Sequence, residues 1–394
     1  MEKKVNRREF LQEGSKVAVG AGLMIGAINT GLLTDAATDE NEVKEKKEAQ
    51  KPDVTYRVLG KTKQKIRTVS IGAMNLKNPA IVRYAIDQGV NYIDTARAYT
   101  GGKNEAIVGK AIKGIKRDKI FIATKFHQYD SYDSIMKSAE TSLKELGIDY
   151  IDLLQVHNVK DKEPVSKDYI LKALEKLKQD GKIKFCGVTT HQNEPEVIDA
   201  TIETKFYDAV LVKINFQSPK EVIDAAKRAY EAKLGVIAMK TQAKGGYDTK
   251  ELGDITPHQA ALKWVLQHEF ITTAIPGVTT FEAVDEDLAV IGMKLTRLDR
   301  KSLHRYSQKI DKTYCRMCGG CSGTCRYGVD IAENMRALMY AEGYGDLELG
   351  KETFYQLPIT AKATVCSSCD SCTAKCVNGL KIAARLQKAN EILA

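Results

Sequence analysis

Between residues 69 and about 295, short runs of β-branched and aliphatic residues alternate with longer stretches whose apolar positions recur at helical spacing. The strand-like runs are 69–73, 90–94, 120–125, 150–157, 184–189, 209–215, 236–239 and 272–275. Helix-like stretches follow them, among them 104–113, 131–146, 169–179, 219–232 and 257–268. Regular βα alternation predicts a parallel sheet with helices outside it. Eight such units in about 240 residues match the size of a closed (β/α)8 barrel. An open, doubly wound sheet is the alternative, but no G-x-G-x-x-G follows the first strand.

The alternation breaks on both flanks. Asn6-Arg7-Arg8-Glu9-Phe10-Leu11 precedes a Gly- and Ala-rich apolar stretch from about Val17 to Leu33. Gly14, Gly20, Gly22, Gly26 and Gly31 dilute that stretch below the hydropathy of a transmembrane helix. It resembles a twin-arginine export signal, the alternative being a basic start before an ordinary amphipathic helix. The resemblance implies export of already folded protein to the periplasm or the outer face of the cell membrane, with membrane attachment only through an uncleaved signal. Residues 38–53 are almost all polar or charged and read as a flexible tether. The expected organisation is a signal segment at 1–37, a charged linker at 38–53, the barrel at 54–294 and a cysteine-rich domain at 295–394.

Composition excludes several classes. With 394 residues, 43% of them hydrophobic and 28% charged, the chain can bury a sizeable core, so coil throughout is ruled out. The formal charge of +9 is a modest excess of 60 basic over 51 acidic residues, which is no nucleic-acid-binding signature. The same excess suits an acidic redox partner, and solubility explains it as well.

In a (β/α)8 barrel, chemistry belongs where strands end. Asp94 closes the second strand, Tyr99 lies five residues further on, Lys125 closes the third strand and His157 the fourth. A phenol beside a lysine in a dry pocket is expected to have its pKa lowered, which would make Tyr99 a proton donor. Asp94 would keep Lys125 charged, and His157 could hydrogen-bond a bound carbonyl oxygen. Taken singly, each is more often a satisfied polar group; four in order point to a site.

The segments around them resemble the aldo-keto reductases. They are Gly89-Val90-Asn91-Tyr92-Ile93-Asp94-Thr95-Ala96-Arg97-Ala98-Tyr99, Ile122-Ala123-Thr124-Lys125, Asp152-Leu153-Leu154-Gln155-Val156-His157 and Gly187-Val188-Thr189-Thr190-His191. Tyr56-Arg57-Val58-Leu59-Gly60-Lys61-Thr62, the helix at 259–266 and Ile275-Pro276-Gly277 extend the similarity over about 56–295. The resemblance implies the barrel, a catalytic tetrad of Asp94, Tyr99, Lys125 and His157, and reversible hydride transfer between a nicotinamide and a small-molecule carbonyl or alcohol. It also implies NAD(P)H contacts at Thr189, Thr190, Met239, Lys240 and Gly277. There the chain departs from the family pattern. Thr189-Thr190 stands for a Ser-Asn pair, Leu211 for a carboxamide-binding glutamine and Met239 for a stacking tyrosine. No base lies in 277–283 to hold a 2′-phosphate. Lys240 and Lys244 are the phosphate candidates, against the plain alternative of solvated surface lysines.

Eight of the nine cysteines fall in two matching quartets: Cys315, Cys318, Cys321, Cys325 and Cys366, Cys369, Cys372, Cys376. Both have C-x2-C-x2-C-x3-C spacing, that of a ferredoxin-type run for a 4Fe-4S cluster, and the resemblance implies a mainly α, ferredoxin-like domain with two 4Fe-4S clusters at 295–394. By resemblance to two-cluster ferredoxins, Cys315, Cys318 and Cys321 would share a cluster with Cys376. Cys366, Cys369 and Cys372 would share the other with Cys325. Structural zinc and disulfides are the rivals. Cys186 is expected to be a small buried residue of the fifth strand.

A nicotinamide moves two electrons and an iron-sulfur cluster one, and no flavin motif converts between them. The expectation is an iron-sulfur, aldo-keto reductase-like enzyme in which Tyr99 handles protons and the clusters exchange electrons with a transfer protein. The alternatives are an ordinary NAD(P)H-dependent reductase with structural clusters, and an electron carrier fused to an inactive barrel.

Overall fold

The computed structural model describes residues 55–243 and 256–394. The expected signal segment and linker lie outside the described residues, as does Lys244. All described residues belong to the compact unit Pro52–Ala394.

The chain enters through an antiparallel hairpin, β1 (Tyr56–Val58) and β2 (Lys65–Arg67). Eight parallel strands follow: β3 (Ile71–Gly72), β4 (Tyr92–Asp94), β5 (Phe121–His127), β6 (Ile151–His157), β7 (Ile183–Thr190), β8 (Ala209–Lys213), β9 (Gly235–Met239) and β10 (Thr273–Ala274). Each pairs with its neighbour in chain order. Bridges Val69–Ala274 and Gly72–Gly277 then join the last strand to the first, with the Ser70 N–H donating to the Ala274 carbonyl at 2.9 Å. The sheet thus closes on itself into the expected (β/α)8 barrel.

Strand bounds match the sequence pattern to within a few residues, and the differences have local causes. β5 runs on to His127 because His127 still pairs with His157. β8 stops at Lys213 because Asn215 turns the chain, its Oδ1 accepting from the Gln217 N–H at 2.9 Å. The hairpin was not expected; strands of three residues carry no periodic signal.

Period-two alternation sorts the strand residues into two layers. Tyr92, Phe121, Ala123, Leu153, Leu211, Ile237 and Met239 fill the barrel interior, joined from below by Leu59 and Ile66 of the hairpin region. Leu59 sits so close that a Cβ on Gly235 would lie 2.3 Å from its side chain, which is why β9 opens with glycine. The residues between them face out onto helices α1 (Pro79–Asp87), α2 (Asn104–Ile112), α3 (Tyr132–Leu146), α4 (Asp168–Gln179), α5 (Glu194–Thr204), α6 (Lys220–Glu231), α7 (Pro257–Leu266) and α8 (Phe281–Leu288). The floor of the barrel is aromatic: the Tyr92 and Phe121 rings stack at 5.4 Å. Its C-terminal mouth is polar.

Beyond the barrel come α9 (Arg297–Ile310), α10 (Ile331–Gly343), α11 (Leu347–Tyr355) and α12 (Ile382–Leu393). A Thr296–Asp299 capping box starts α9, and Asp299 also takes the Lys263 ammonium of α7 at 2.8 Å, fastening the tail to the barrel wall. α10 and α12 build a small apolar core with Phe354 of α11, against which several of the quartet cysteines pack.

Candidate active site

Asp94, Lys125 and Gln155 occupy inward positions of β4, β5 and β6, two residues above Tyr92, Ala123 and Leu153. Lys125 Nζ donates to Asp94 Oδ1 at 2.5 Å and to the Thr95 carbonyl at 2.7 Å. Gln155 Nε2 donates to Asp94 Oδ2 at 3.2 Å. Tyr99 starts a tight turn, Tyr99–Gly102, in which Thr100 and Gly101 have positive φ. Asn104 steadies that turn by donating to the Ala73 carbonyl at 2.7 Å and accepting from Thr95 Oγ1 at 2.7 Å. The Tyr99 ring lies 4.8 Å from Lys125 Nζ and meets His157 edge-on, with ring centroids 5.7 Å apart. All four expected residues therefore converge.

One electrostatic expectation is reversed. The Tyr99 phenol is raised, not lowered, because burial outweighs the opposing pull of Lys125. Tyr99 accordingly holds its proton tightly. Burial alone would lower Lys125, but Asp94 and then Tyr99 raise it, so it stays charged. His157 is held well below the ordinary histidine value by burial, with Lys125 and Arg336 adding to it. It is a neutral imidazole, able to donate one hydrogen bond.

A cavity of about 150 Å³ opens beside Tyr99 and Asp94, lined by Met239, Lys240, Gln242, Ile275 and Gly277. Three of the five expected nicotinamide contacts thus share one cavity. Thr189 and Thr190 do not line it: Thr189 Oγ1 accepts from the Asn158 N–H at 2.8 Å, and Thr190 Oγ1 donates to the Gln192 carbonyl at 2.6 Å. Lys240 is no solvated lysine. Its Nζ donates to the Tyr340 hydroxyl at 2.8 Å and lies over the Tyr340 and Tyr344 rings.

The tail covers the mouth. A second cavity, about 80 Å³, is bounded by Tyr99, His127, His157 and His191 from the barrel and by Arg336, Tyr340 and Glu352 from α10 and α11. Arg336 pairs with Glu333, which is buried. Glu352 Oε1 accepts from the Gly101 N–H at 2.6 Å, so a tail helix holds the turn that carries Tyr99.

The cysteine thiols fall into two groups, and the groups cross between the quartets. Burial, then the neighbouring thiols of Cys318 and Cys376, raises Cys321. Cys315 is pushed up to about 12, mainly by burial and with Cys321 and Cys318 contributing. Cys366 is pushed up to about 11 by burial and by Cys325, Cys369 and Cys372 around it. The first group lies against the barrel: Lys213 Nζ donates to the Arg316 carbonyl, and Asn215 Nδ2 to the Tyr314 hydroxyl at 3.0 Å. Cys186 is buried in β7 as expected.

Sequence reasoning missed Gln155, His191, Arg336, Tyr340 and Glu352. Gln155 had a signal: a lone amide among inward apolar positions of β6. The three tail residues had none, since nothing local marks a helix that will cap a distant pocket.

Residues 68–255 match the model of the aldo/keto reductase family. An uncharacterized oxidoreductase, YqkF, of Bacillus subtilis is 26% identical over 302 residues, covering 64% of this chain and 96% of that protein. The aldo-keto reductase AKR11C1 from Bacillus halodurans superposes with a TM-score of 0.55 at 26% identity, over 64% of this chain and 95% of that one. An aldo-keto reductase from Klebsiella pneumoniae, solved in complex with NADPH, gives 0.55 at 25% identity, over 63% and 94%. The family match ends at residue 255, ahead of both cysteine quartets.

Proposed function

We propose, from the match of residues 68–255 to the aldo/keto reductase family model, that this oxidoreductase interconverts a small-molecule carbonyl and its alcohol. Tyr99 is the proton donor and acceptor, and two 4Fe-4S clusters in the C-terminal segment pass electrons. The observation carrying this reading is that the segment bearing the first cysteine group is seated on the barrel mouth through Lys213 and Asn215 while its helix α10 lines the cavity of Tyr99.

The residues fit the group. Cys325, Cys366, Cys369 and Cys372 surround a cavity of about 150 Å³. On the other side the Met317 and Asn378 N–H groups donate to the Cys315 and Cys376 sulfurs at 3.4 Å, and Asn378 Nδ2 to Cys318 Sγ at 3.3 Å. Among the described residues no three His, Cys, Asp or Glu side chains close in on a single metal ion. Sulfur-only donor sets in two C-x2-C-x2-C-x3-C runs suit a multi-iron cluster better than zinc. Clusters held there supply one-electron transfer.

The chain's own residues handle the proton. A carbonyl oxygen lodged between Tyr99 and His157 receives a hydrogen bond from the neutral imidazole and one proton from the phenol. The two electrons of the reduction come by way of the clusters, and the carbon takes its proton from water. Lys125, kept charged by Asp94, stabilises the phenolate left behind. A protein donor or acceptor of electrons is the expected partner, and the Arg7-Arg8 segment supports export of the folded protein to the periplasm or outer membrane face.

A second reading rests on the cavity that brings Met239, Lys240 and Gly277 beside Tyr99. NAD(P)H held there supplies a hydride, and the clusters are structural.

Anaerobic purification, iron and sulfide assay, and nucleotide titration with cluster absorbance monitored separate the two. The first expects about eight iron per chain, with reduced clusters reoxidised by members of an aldehyde and ketone panel without nucleotide and no such turnover in Tyr99→Phe. Saturable NADH or NADPH binding, with carbonyl reduction persisting after cluster oxidation, establishes the second. Protein matured with iron supply that contains neither iron nor sulfide overturns the cluster assignment.

A further inference from the structure

The Tyr340 phenol oxygen accepts hydrogen bonds from Lys240 Nζ at 2.8 Å and Arg336 Nη1 at 3.2 Å. The same two cations lie 4.2 and 5.6 Å from its ring centroid. Tyr340 is only 1% exposed, yet it lines the cavity that Tyr99 and His157 share. With both lone pairs engaged by cationic donors, the phenol's remaining capacity is its own O–H, for which the described residues offer no acceptor.

Lys240 points the same way. Lys125, Lys160 and Arg336 each have a carboxylate at ion-pair distance. Among the described residues Lys240 has none; its partner is the Tyr340 oxygen. A covered ammonium without a counter-anion is costly, and burial lowers Lys240 accordingly; a Tyr340 phenolate, once its proton has moved to Tyr99, supplies the missing anion. It completes an alternating chain of Glu333, Arg336, Tyr340 and Lys240.

We propose that Tyr340 is a second proton-transfer residue of this active site, returning a proton to Tyr99 through the cavity they share while Lys240 and Arg336 hold the phenolate that results. The proposal rests on the proton-donor role given to Tyr99 above. When Tyr99 has protonated a substrate oxygen, the O–H bond of Tyr340 breaks, a new O–H bond forms on Tyr99, and the negative charge moves from Tyr99 to Tyr340. No electron changes hands, and alcohol oxidation runs the same step in reverse. The direction is downhill. Burial raises Tyr340, but Lys240 and Arg336 outweigh it and lower the phenol, whereas Tyr99 is raised. Charge on Tyr340 also disfavours charge on Tyr99, so the two phenols share one negative charge rather than carrying two.

The groups facing Tyr340 are Lys240 after β9, Arg336 and Glu333 on its own helix, Tyr344 just past the end of that helix, and Tyr99 after β4. Across the cavity stand His127, His157, His191 and, from α11, Glu352.

The test is a base titration of the full holoprotein, followed by tyrosinate absorbance with no substrate added. Wild type is expected to ionise one tyrosine ahead of the rest. That early step disappears in Tyr340→Phe, persists in Tyr99→Phe and moves to higher pH in Lys240→Met. An early step that survives in Tyr340→Phe, or vanishes in Tyr99→Phe, overturns the proposal. Should Tyr340→Phe not fold, Lys240→Met and Arg336→Lys decide: neither shifting the early step also overturns it. In turnover, Tyr340→Phe is expected to lower kcat about 10-fold or more and to move the alkaline limb of the kcat profile; an unchanged profile reduces Tyr340 to a structural role. If wild type turns over no carbonyl, the family-based function fails while the titration still judges Tyr340.

Discussion

Lys125 and Asp94 meet at 2.5 Å with both side chains shut away from water. Such a pair is costly to break from one side, because the remaining charge is left buried and alone. Lys125→Met is expected to lose about 3–5 kcal/mol of stability and about 10²- to 10⁴-fold in turnover. The double variant Asp94→Asn/Lys125→Met should regain much of the stability and none of the activity. Urea unfolding beside steady-state kinetics checks both; recovered turnover in the double variant would show that the pair serves folding alone.

The pH dependence of carbonyl reduction follows from two shifted groups. Tyr99 must be protonated to donate, and its pKa is raised, so kcat/KM should hold through neutral pH and fall only as pH rises through a value above the ordinary tyrosine range. His157 must be neutral, and its pKa is well below the usual value, so the acid limb should lie below the ordinary histidine range. An alkaline limb below the normal phenol value in wild type would mean that Lys125, not burial, dominates at Tyr99.

Glu352 ties the tail to the turn that carries Tyr99. The turn holds Thr100 at φ 54° and Gly101 at φ 59°, and the Glu352 carboxylate receives the Gly101 N–H. Glu352→Ala should therefore speed hydrogen exchange at Gly101 and raise KM several-fold, while global stability changes by only about 1–2 kcal/mol. Exchange rates at residues 99–102 equal to wild type would show that the turn stands without the tail.

These three sites differ in how far they could be read from the chain. Asp94, Lys125 and His157 were legible because strand periodicity places alternate residues inward and the strand ends are marked by the pattern itself. The sign at Tyr99 was not, since sequence shows which charge stands near a phenol but not how completely the phenol is covered. Arg336, Tyr340 and Glu352 were invisible for a different reason. Only tertiary packing decides which polar residues of α10 and α11 meet a pocket built from residues 100 or more positions earlier in the chain. The crossing of the cysteine groups was implied by resemblance, and in the fold Cys325 of the first quartet lines one cavity with Cys366, Cys369 and Cys372 of the second.

That crossing distinguishes two single substitutions. If Cys376 completes the group of Cys315, Cys318 and Cys321, Cys376→Ser should remove about four of about eight irons and loosen the Lys213–Arg316 and Asn215–Tyr314 contacts on the barrel. Cys325→Ser should remove a similar share but leave those contacts in place. Iron assay with hydrogen exchange at residues 213–217 reads the difference. Loosening in Cys325→Ser instead would mean that each quartet keeps its own fourth cysteine.

Glu333 anchors the tail's side of the cavity, and its acid behaviour is predictable. Burial would raise its carboxyl, but Arg336 above all, with Lys160 and Asn158, lowers it from 4.5 to about 2. A group with a depressed folded-state pKa adds stability that is fully present above its ordinary value and is lost as pH falls through the folded one. Glu333 should therefore contribute up to about 3 kcal/mol at neutral pH, and that share should drain away between about pH 4.5 and 2. Glu333→Gln removes the ionisation and leaves the Arg336 guanidinium without its carboxylate, so the variant should be less stable at neutral pH and lose less on acidification. Urea unfolding at stepped pH measures the two slopes. Parallel slopes would mean that Glu333 is already neutral in the fold, and that Arg336 is held by Tyr340 alone.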